Sequence, residues 1–586
     1  MTVWRKLDRY FLFPKVAITI NEFEDTCIKI FKGKCFHMYL HEKLAKYTTK
    51  NRYPMHMPGH KRQLTADNLY AYDITEINGF DNLHHAEDVL REEMERAAEI
   101  YGAAHSRFLV NGSSCGVLAA ISATVEYGGK ILIGRNSHKS AYHALDLRGL
   151  HAEYVYPQEI GAWSMQGGVE PAAVREKLQK NVMLVGEDNM QNVTSTQKMR
   201  AVFVTSPTYE GMISDITWIA AICHEYGVPL IVDEAHGAHL KAMNLWDNMQ
   251  ENNERNDGQP RGGGSEATKS ALDCGADIVI QSLHKTMPTL TQTAILHVSQ
   301  DAVSSGRVSM EHIDYYLGVY QSSSPSYVLL ESISQCMHWL SGDYKIGGLD
   351  AREQVKTYRE LLAKTRNRLA ENKKLHLIQK EDLQKTHCVV ALDEGKIVIS
   401  AKGTNLSGYE FANLLRERFA IEVEMAAQDY IIAMTSFFDT EEGLEKFADA
   451  VAQCDAMCDN INMEKFRNER QFPQTQAKMP ICEAKKLAGE HPERVCELPV
   501  EKLMHGGAVL PEETQVGAKE YISADFIYVY PPGIPIAAPG EIISPEMAEE
   551  MVAYYKGGFE VIGCRTANGD IYIKCLSDDE ERKKSR

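Results

Sequence analysis

No apolar run in this 586-residue sequence reaches the roughly twenty residues a membrane-spanning helix needs, so an integral helical membrane protein is not expected. Basic residues are in deficit. Lys and Arg number 63 against 81 Asp and Glu, a formal charge of −18, which argues against the clustered cationic face that nucleic-acid phosphates require. An acidic balance suits cationic small molecules instead. The 13 cysteines include no CxxC pair and no regular metal-site spacing, and an odd count in a long chain fits free thiols in a reducing cytosol. Cys115 and Cys223 read as core or helix residues. His56 and His60 in "NRYPMHMPGHKR" lack a convergent third and fourth ligand, so no metal is expected. The opening "MTVWRKLDRYFLFPKVAITINEFE" has no apolar core followed by a small-residue cleavage site. It is expected to be a strand or an arm packing on another subunit rather than a secretory signal. A nucleotide P-loop and a dinucleotide glycine fingerprint are missing too.

What is present, from about 100 to 300, is an alternation of strands and helices. "SRFLV", "KILIG", "AEYVYP", "AVFVT", "PLIVD", "ADIVIQ" and "TAILHV" read as strands, with helical stretches such as "VLAAISATVEYG" and "ISDITWIAAICHEYG" between them. This order predicts an α/β fold whose mostly parallel sheet is covered on both faces by helices. Functional groups should then gather at the carboxyl ends of the strands. Two polar stretches, 186–200 and the one between Leu240 and Ala276, read as surface insertions. From about 380 the pattern becomes α+β, with "CVVALDEGKIVIS" suggesting a hairpin, and the tail "SDDEERKKSR" reads as frayed.

The strand ends carry the chemistry. "LIVDEAH" ends a buried strand in Asp233 and His236, and "ADIVIQ" runs into "SLHKT", placing Ser282, His284 and Lys285 at a second strand end. A buried carboxylate needs a cationic or hydrogen-bonding partner, and a protonated pyridine nitrogen is one. Lys285 is placed to form a Schiff base with an aldehyde cofactor. "NGSSCG" offers Ser113 and Ser114 at a helix start, suited to a phosphate but equally readable as an ordinary helix cap. His138 in "RNSHKS" begins a helix after a third strand end and is suited to stacking on an aromatic ring. Together these four features describe a site for pyridoxal 5′-phosphate.

The stretches "MPGHKR", "NGSSCGVLAAISA", "RNSHKS", "SPTYEGMISDI", "LIVDEAHGAHL", "SLHKTMPTLTQTAILH", "QSSSPSYVLLESI" and "YPPGIPIAAPGE" resemble, in this order, the bacterial ornithine/lysine/arginine decarboxylases, in particular their shorter branch without an N-terminal wing domain. The resemblance implies a fold-type I, aspartate aminotransferase-like major domain with a smaller α+β C-terminal domain. Lys285 is then the cofactor-binding lysine, Asp233 the partner of the pyridine nitrogen and His138 the ring-stacking histidine, and these three are the expected catalytic residues. Ser113, Ser114, Ser282 and His284 fall at phosphate-side or lysine-adjacent positions, and His236 near the cofactor face. Ser322 and Ser323 are expected to reach the cofactor phosphate of an adjacent subunit, which implies an obligate homodimer open to further assembly. The implied activity is decarboxylation of a basic amino acid in the cytoplasm, in polyamine metabolism, with Glu541 a candidate acceptor for the distal cation. Expected boundaries are an N-terminal segment 1–50, a cofactor-binding domain 51–345, a helical connector 346–380 and a C-terminal domain 381–586. Lys285 and Asp233 alone would serve an aminotransferase or a carbon–carbon lyase equally, and a non-catalytic regulatory relative is the remaining alternative.

Overall fold

Seven apolar runs form one sheet. In chain order they are β1 (His105–Leu109), β2 (Lys130–Gly134), β3 (His151–Val155), β4 (Met199–Thr205), β5 (Leu230–Asp233), β6 (Ile278–Gln281) and β7 (Ala294–Val298), arranged β1-β7-β6-β5-β4-β2-β3. β7 is antiparallel to both its neighbours, and β3, β2, β4, β5 and β6 pair in parallel. β1 therefore runs in the same direction as β6, and every strand except β7 ends on one edge.

The computed structural model describes residues 29–31, 34–36, 53–55, 76, 80–185, 198–245, 268–342, 344–383, 386–460, 474–504 and 520–576. The "MPGHKR" stretch, most of both polar insertions and the charged tail lie outside them. Contacts divide the chain into two units, Met1–Arg52 and Tyr53–Arg586. In the first, Lys29–Phe31 pairs antiparallel with Lys34–Phe36. The remainder concerns the second.

Alternate side chains of the strands feed two different cores. Ile131, Ile133, Phe203, Ile231, Ile278 and Ile280 pack on one face with helix α1 (Gly112–Thr124) and helix α2 (Lys139–Arg148). Leu132, Val202, Val204, Leu230, Val232 and Val279 pack on the other with α3 (Ile216–Glu225). Two covered faces explain why the strands read as unbroken apolar runs rather than alternating ones. Each such side chain contributes roughly 1.5–3 kcal/mol by leaving water. Cys115 on α1 and Cys223 on α3 are buried in these cores. Gly116 lets α1 lie close on the sheet: a Cβ there would sit 2.6 Å from Leu109 Cδ1 and 3.1 Å from Ile280 Cγ2. That contact holds the start of α1 beside the ends of β1 and β6.

After the helix Ala351–Leu369 comes a four-stranded sheet. The hairpin expected at "CVVALDEGKIVIS" does not form. Its two halves, β8 (Val389–Leu392) and β9 (Lys396–Ser400), are strands, but β8 pairs with Met212–Ser214 and β9 lies between His376–Leu377 and Tyr430–Met434. β9 is buried at all five positions, so it needs ladder partners on both edges. The turn between them is pinned elsewhere, Asp393 N donating to Gly211 O at 2.8 Å. A further sheet joins Val495–Pro499, Asp570–Leu576 and Ile522–Ser523. Among the described residues no helix is long and apolar enough to cross a membrane.

Candidate active site

The carboxyl edge of the sheet opens into a cavity of about 190 Å³. Ser113 and Ser114 enter it from the first turn of α1, and His138 from the residue that caps α2. Asp233 ends β5 and His236 follows it, and after β6 Ser282 caps the short helix Leu283–Thr286 that carries His284 and Lys285. Because β5 and β6 are hydrogen-bonded neighbours, Asp233 and Lys285 come from adjacent strand ends. Eight of the residues singled out in the sequence thus share one cavity: Ser113, Ser114, His138, Asp233, His236, Ser282, His284 and Lys285. Glu234, between Asp233 and His236 in sequence, is engaged elsewhere, accepting from Ser270 Oγ, Ala271 N and Gln281 Nε2.

Burial sets the charge states. It raises the Asp233 carboxyl, against a lowering pull from Lys285 and a hydrogen bond from Ala235 N. Among the described residues no cation forms an ion pair with Asp233. Burial also lowers the Lys285 amine, outweighing Asp233 and Glu424. His138 is pushed down to about 3 by burial and then by Lys285, so its ring is neutral near pH 7. Ser140 N donates to His138 Nδ1, which leaves the proton on Nε2. His284 is pushed down to about 4, mainly by burial, and its Nδ1 donates to Thr293 O at 2.8 Å. Ser282 Oγ donates to Ser113 Oγ at 2.8 Å. His236 Nε2 lies 2.7 Å from Lys285 Nζ, and its Nδ1 lies 2.6 Å from Lys396 Nζ.

Residues 39–405 match the family described as Orn/Lys/Arg decarboxylase, major domain. The chain belongs to that family. It is 26% identical over 529 residues to an arginine decarboxylase of Bacillus anthracis, covering 89% of this chain and 93% of that protein. An arginine decarboxylase of Bacillus subtilis is 27% identical over 536 residues, covering 89% and 95%. In fold the chain is similar to the lysine decarboxylase LdcF of Francisella novicida, with a TM-score of 0.64 at 17% identity, covering 87% of this chain and 75% of that one. The constitutive lysine decarboxylase of Escherichia coli gives 0.63, also at 17% identity, covering 87% and 76%. The protein is a pyridoxal phosphate-dependent amino acid decarboxylase of fold-type I.

The cavity suits that cofactor on its own terms. Asn111, at the start of α1, makes no side-chain cap hydrogen bond, and the first turn carries no acid, so the helix start favours an anion such as phosphate. Asp233 offers a buried carboxylate to a ring cation, and Lys285 an amine to an aldehyde. Buried Asn136 Oδ1 and Thr205 Oγ1, both on cavity residues, have no protein partner among the described residues.

Three of the expected residues stand elsewhere. Ser322 and Ser323 are exposed and do not line this chain's cavity; Ser322 Oγ donates to Ser324 O, and Ser322 O accepts from His84 Nε2. Glu541 is buried, 1% exposed, and already engaged. It pairs with Arg135 Nη2 at 3.0 Å and accepts Ala538 N at 2.8 Å, while Arg135 also donates to Pro535 O and Ile536 O. The pair ties the end of β2 to the "PPGIPIAAPGE" segment. Glu541→Gln should therefore lower stability by about 3–5 kcal/mol, as expected when one partner of a buried pair is removed. Thermal unfolding reads that loss.

The sequence reading missed Asn136, Gln166, Thr205, Thr208, Tyr209, Glu210 and Tyr530 on the cavity wall. Tyr209 and Glu210 follow β4 directly in "SPTYEG", so the rule of strand ends would have found them. Lys396, behind His236, opens an apolar strand and gives no local signal.

Proposed function

We propose that this chain decarboxylates arginine to agmatine. The observation that carries the reading is the pairing of Lys285 and Asp233 at adjacent strand ends in a cavity that adjoins an acid-lined one. The outer cavity, about 700 Å³, is lined by Glu159, Glu210, Glu546 and Glu550, and among the described residues its one arginine is Arg135, which Glu541 neutralises. Gln166, Glu210, Pro532 and Ile534 line both cavities. A long cationic side chain is favoured there, and a guanidinium suits carboxylates that present paired oxygens. The arginine decarboxylases named above match this chain over nearly their whole length, which supports arginine over lysine and ornithine.

In this reading Lys285 Nζ is the attachment point for the cofactor aldehyde, and Ser113, Ser114, Ser282 and His284 hold its phosphate side. Asp233 would keep a ring nitrogen protonated, and the neutral His138 ring would be the group that faces the ring. When bound, pyridoxal phosphate supplies the sink for the electrons left as carbon dioxide departs. Lys285 Nζ would hold the proton to be returned to the substrate α-carbon. Tyr209, Tyr530, Pro532 and Ile534 wall the cavity and limit water. The working unit in this reading is a cytoplasmic homodimer in which exposed Ser322 and Ser323 of each chain serve the other's cofactor phosphate, and the amine feeds polyamine synthesis.

The test is to offer the holoenzyme arginine, lysine and ornithine separately and measure carbon dioxide and amine. Agmatine from arginine, at a kcat/KM at least about tenfold above the other two, is the expected result. Cadaverine or putrescine as the main product would overturn the choice of arginine. Silence from all three would remove the basic amino acids altogether.

A further inference from the structure

We propose that Lys396 is a positioning residue that fixes the tautomer of His236 and so holds Lys285 as a free amine. The inference rests on the reading of Lys285 as the cofactor lysine. Its basis is a row of three side chains: Lys396 Nζ lies 2.6 Å from His236 Nδ1, and His236 Nε2 lies 2.7 Å from Lys285 Nζ.

A neutral imidazole has one N–H and one lone pair, and an ammonium can only donate. Both contacts are hydrogen bonds only when the lysine facing the imidazole N–H is a neutral amine, which alone offers it a lone pair. A protonated His236 is opposed by its burial and by the two lysines beside it, with His138 and His284 adding to the same effect. The surroundings then decide which lysine is the acceptor. Lys396 is 1% exposed and acts electrostatically on the carboxylates of Glu210 and Asp393, with the Tyr209 ring centroid 5.7 Å from its Nζ. Lys285 faces Asp233, His138, His236 and His284, with Glu424 as a further influence, and its desolvation outweighs the attraction of the two acids. Lys285 is therefore the amine that accepts, and Lys396 the donor on the other side of the ring. Lys396 donates to His236 Nδ1, the proton of His236 sits on Nε2, and that N–H donates to the lone pair of Lys285. An amine so held is the form that reacts with an aldehyde, whereas an ammonium is inert.

The fold holds Lys396 in place for this contact. It is the first residue of β9, laddered to Met434, and its stem packs on Gly211. A Cβ on Gly211 would come within 2.9 Å of Lys396 Cβ and Cγ, and the glycine has φ +91°. The turn "TYEG" thus admits the lysine stem only because Gly211 has no side chain, and it sets the neighbouring Glu210 beside Lys396, burial raising that carboxyl against the pull of the lysine. A buried lysine with no such task would be a costly way to fill the core.

The test uses the full-length apoprotein and trinitrobenzenesulfonate, with the rate of labelling at Lys285 read by peptide mass spectrometry across a pH series. The unmodified protein should label at Lys285 with a midpoint at least one pH unit below that of its exposed lysines. In Lys396→Met the midpoint should move up by at least one unit, making labelling at pH 7 about tenfold slower. An unchanged midpoint overturns the proposal. Loss of the neighbouring charge alone would also raise the midpoint, so a second measurement is made on the unsubstituted protein. Solid-state 15N spectra of histidine-labelled apoprotein, with His236 assigned by the difference from His236→Asn, should show the proton on Nε2. A proton on Nδ1 overturns the proposal without any change at Lys396. Both readouts are taken without substrate. Failure to release agmatine with these results intact would therefore count against the substrate reading and not against the role of Lys396.

Discussion

Lys285→Ala should lower amine formation by at least about 10³-fold, on the order of 4 kcal/mol of barrier, and abolish the visible absorption of lysine-bound cofactor. Lys285 is the one lysine on the cavity wall among the described residues. Lys396 cannot replace it, because the ring of His236 stands between them and Lys396 is enclosed. Lys285→Arg should be nearly as damaging, since it keeps a cation but not a nucleophilic amine. Carbon dioxide release and the absorption spectrum of the purified variant with added cofactor are the measurements. Substantial turnover together with a retained visible band in the alanine variant would remove Lys285 from its assigned role.

Asp233→Asn should lower activity by about 10²-fold or more, ~3 kcal/mol, raise the stability of the apoprotein at neutral pH and reduce the stabilisation that cofactor adds. Burial raises the Asp233 carboxyl in the folded apoprotein. Between the ordinary and the raised value the folded state binds more protons than the unfolded one, so stability falls as pH rises through that window. Asparagine does not titrate. Apo Asp233→Asn should therefore match the parent in acid and exceed it in Tm at neutral pH. A ring cation beside Asp233 compensates the buried charge, so the rise in Tm on adding cofactor should be larger for the parent than for the variant. Thermal unfolding of apo and loaded forms across pH reads both effects. An equal rise in Tm for the two proteins would separate Asp233 from the ring nitrogen.

The residues legible in the sequence were those whose position follows from local pattern. Asp233, His236, Ser282, His284 and Lys285 stand immediately beyond apolar runs, and Ser113, Ser114 and His138 stand where a strand turns into a helix. In a sheet covered on both faces a polar group directly after such a run has one place to be, the carboxyl edge, so order along the chain becomes proximity in space. The same reasoning gave two strands around "LDEG" but paired them with each other. Hairpin pairing is the local default, and here it lost to the burial of β9, whose edges are filled by Tyr430–Met434 and His376–Leu377.

Glu541 shows the other limit. As an acid near a proline-rich turn it suited a distal cation, until the fold brought Arg135 to it across 406 residues. Lys396 meets His236 across 160 residues, and Glu210 meets Tyr430 across 220. The sequence by itself determined that the sheet is mostly parallel and which residues stand at its strand ends, because hydrophobic periodicity and strand-end chemistry are local properties of the chain, while its motifs carried the resemblance to the family. Only the tertiary structure decided which acids are already neutralised, which lysine sits behind His236 and which walls the substrate meets, because those pairings join distant segments that no spacing encodes.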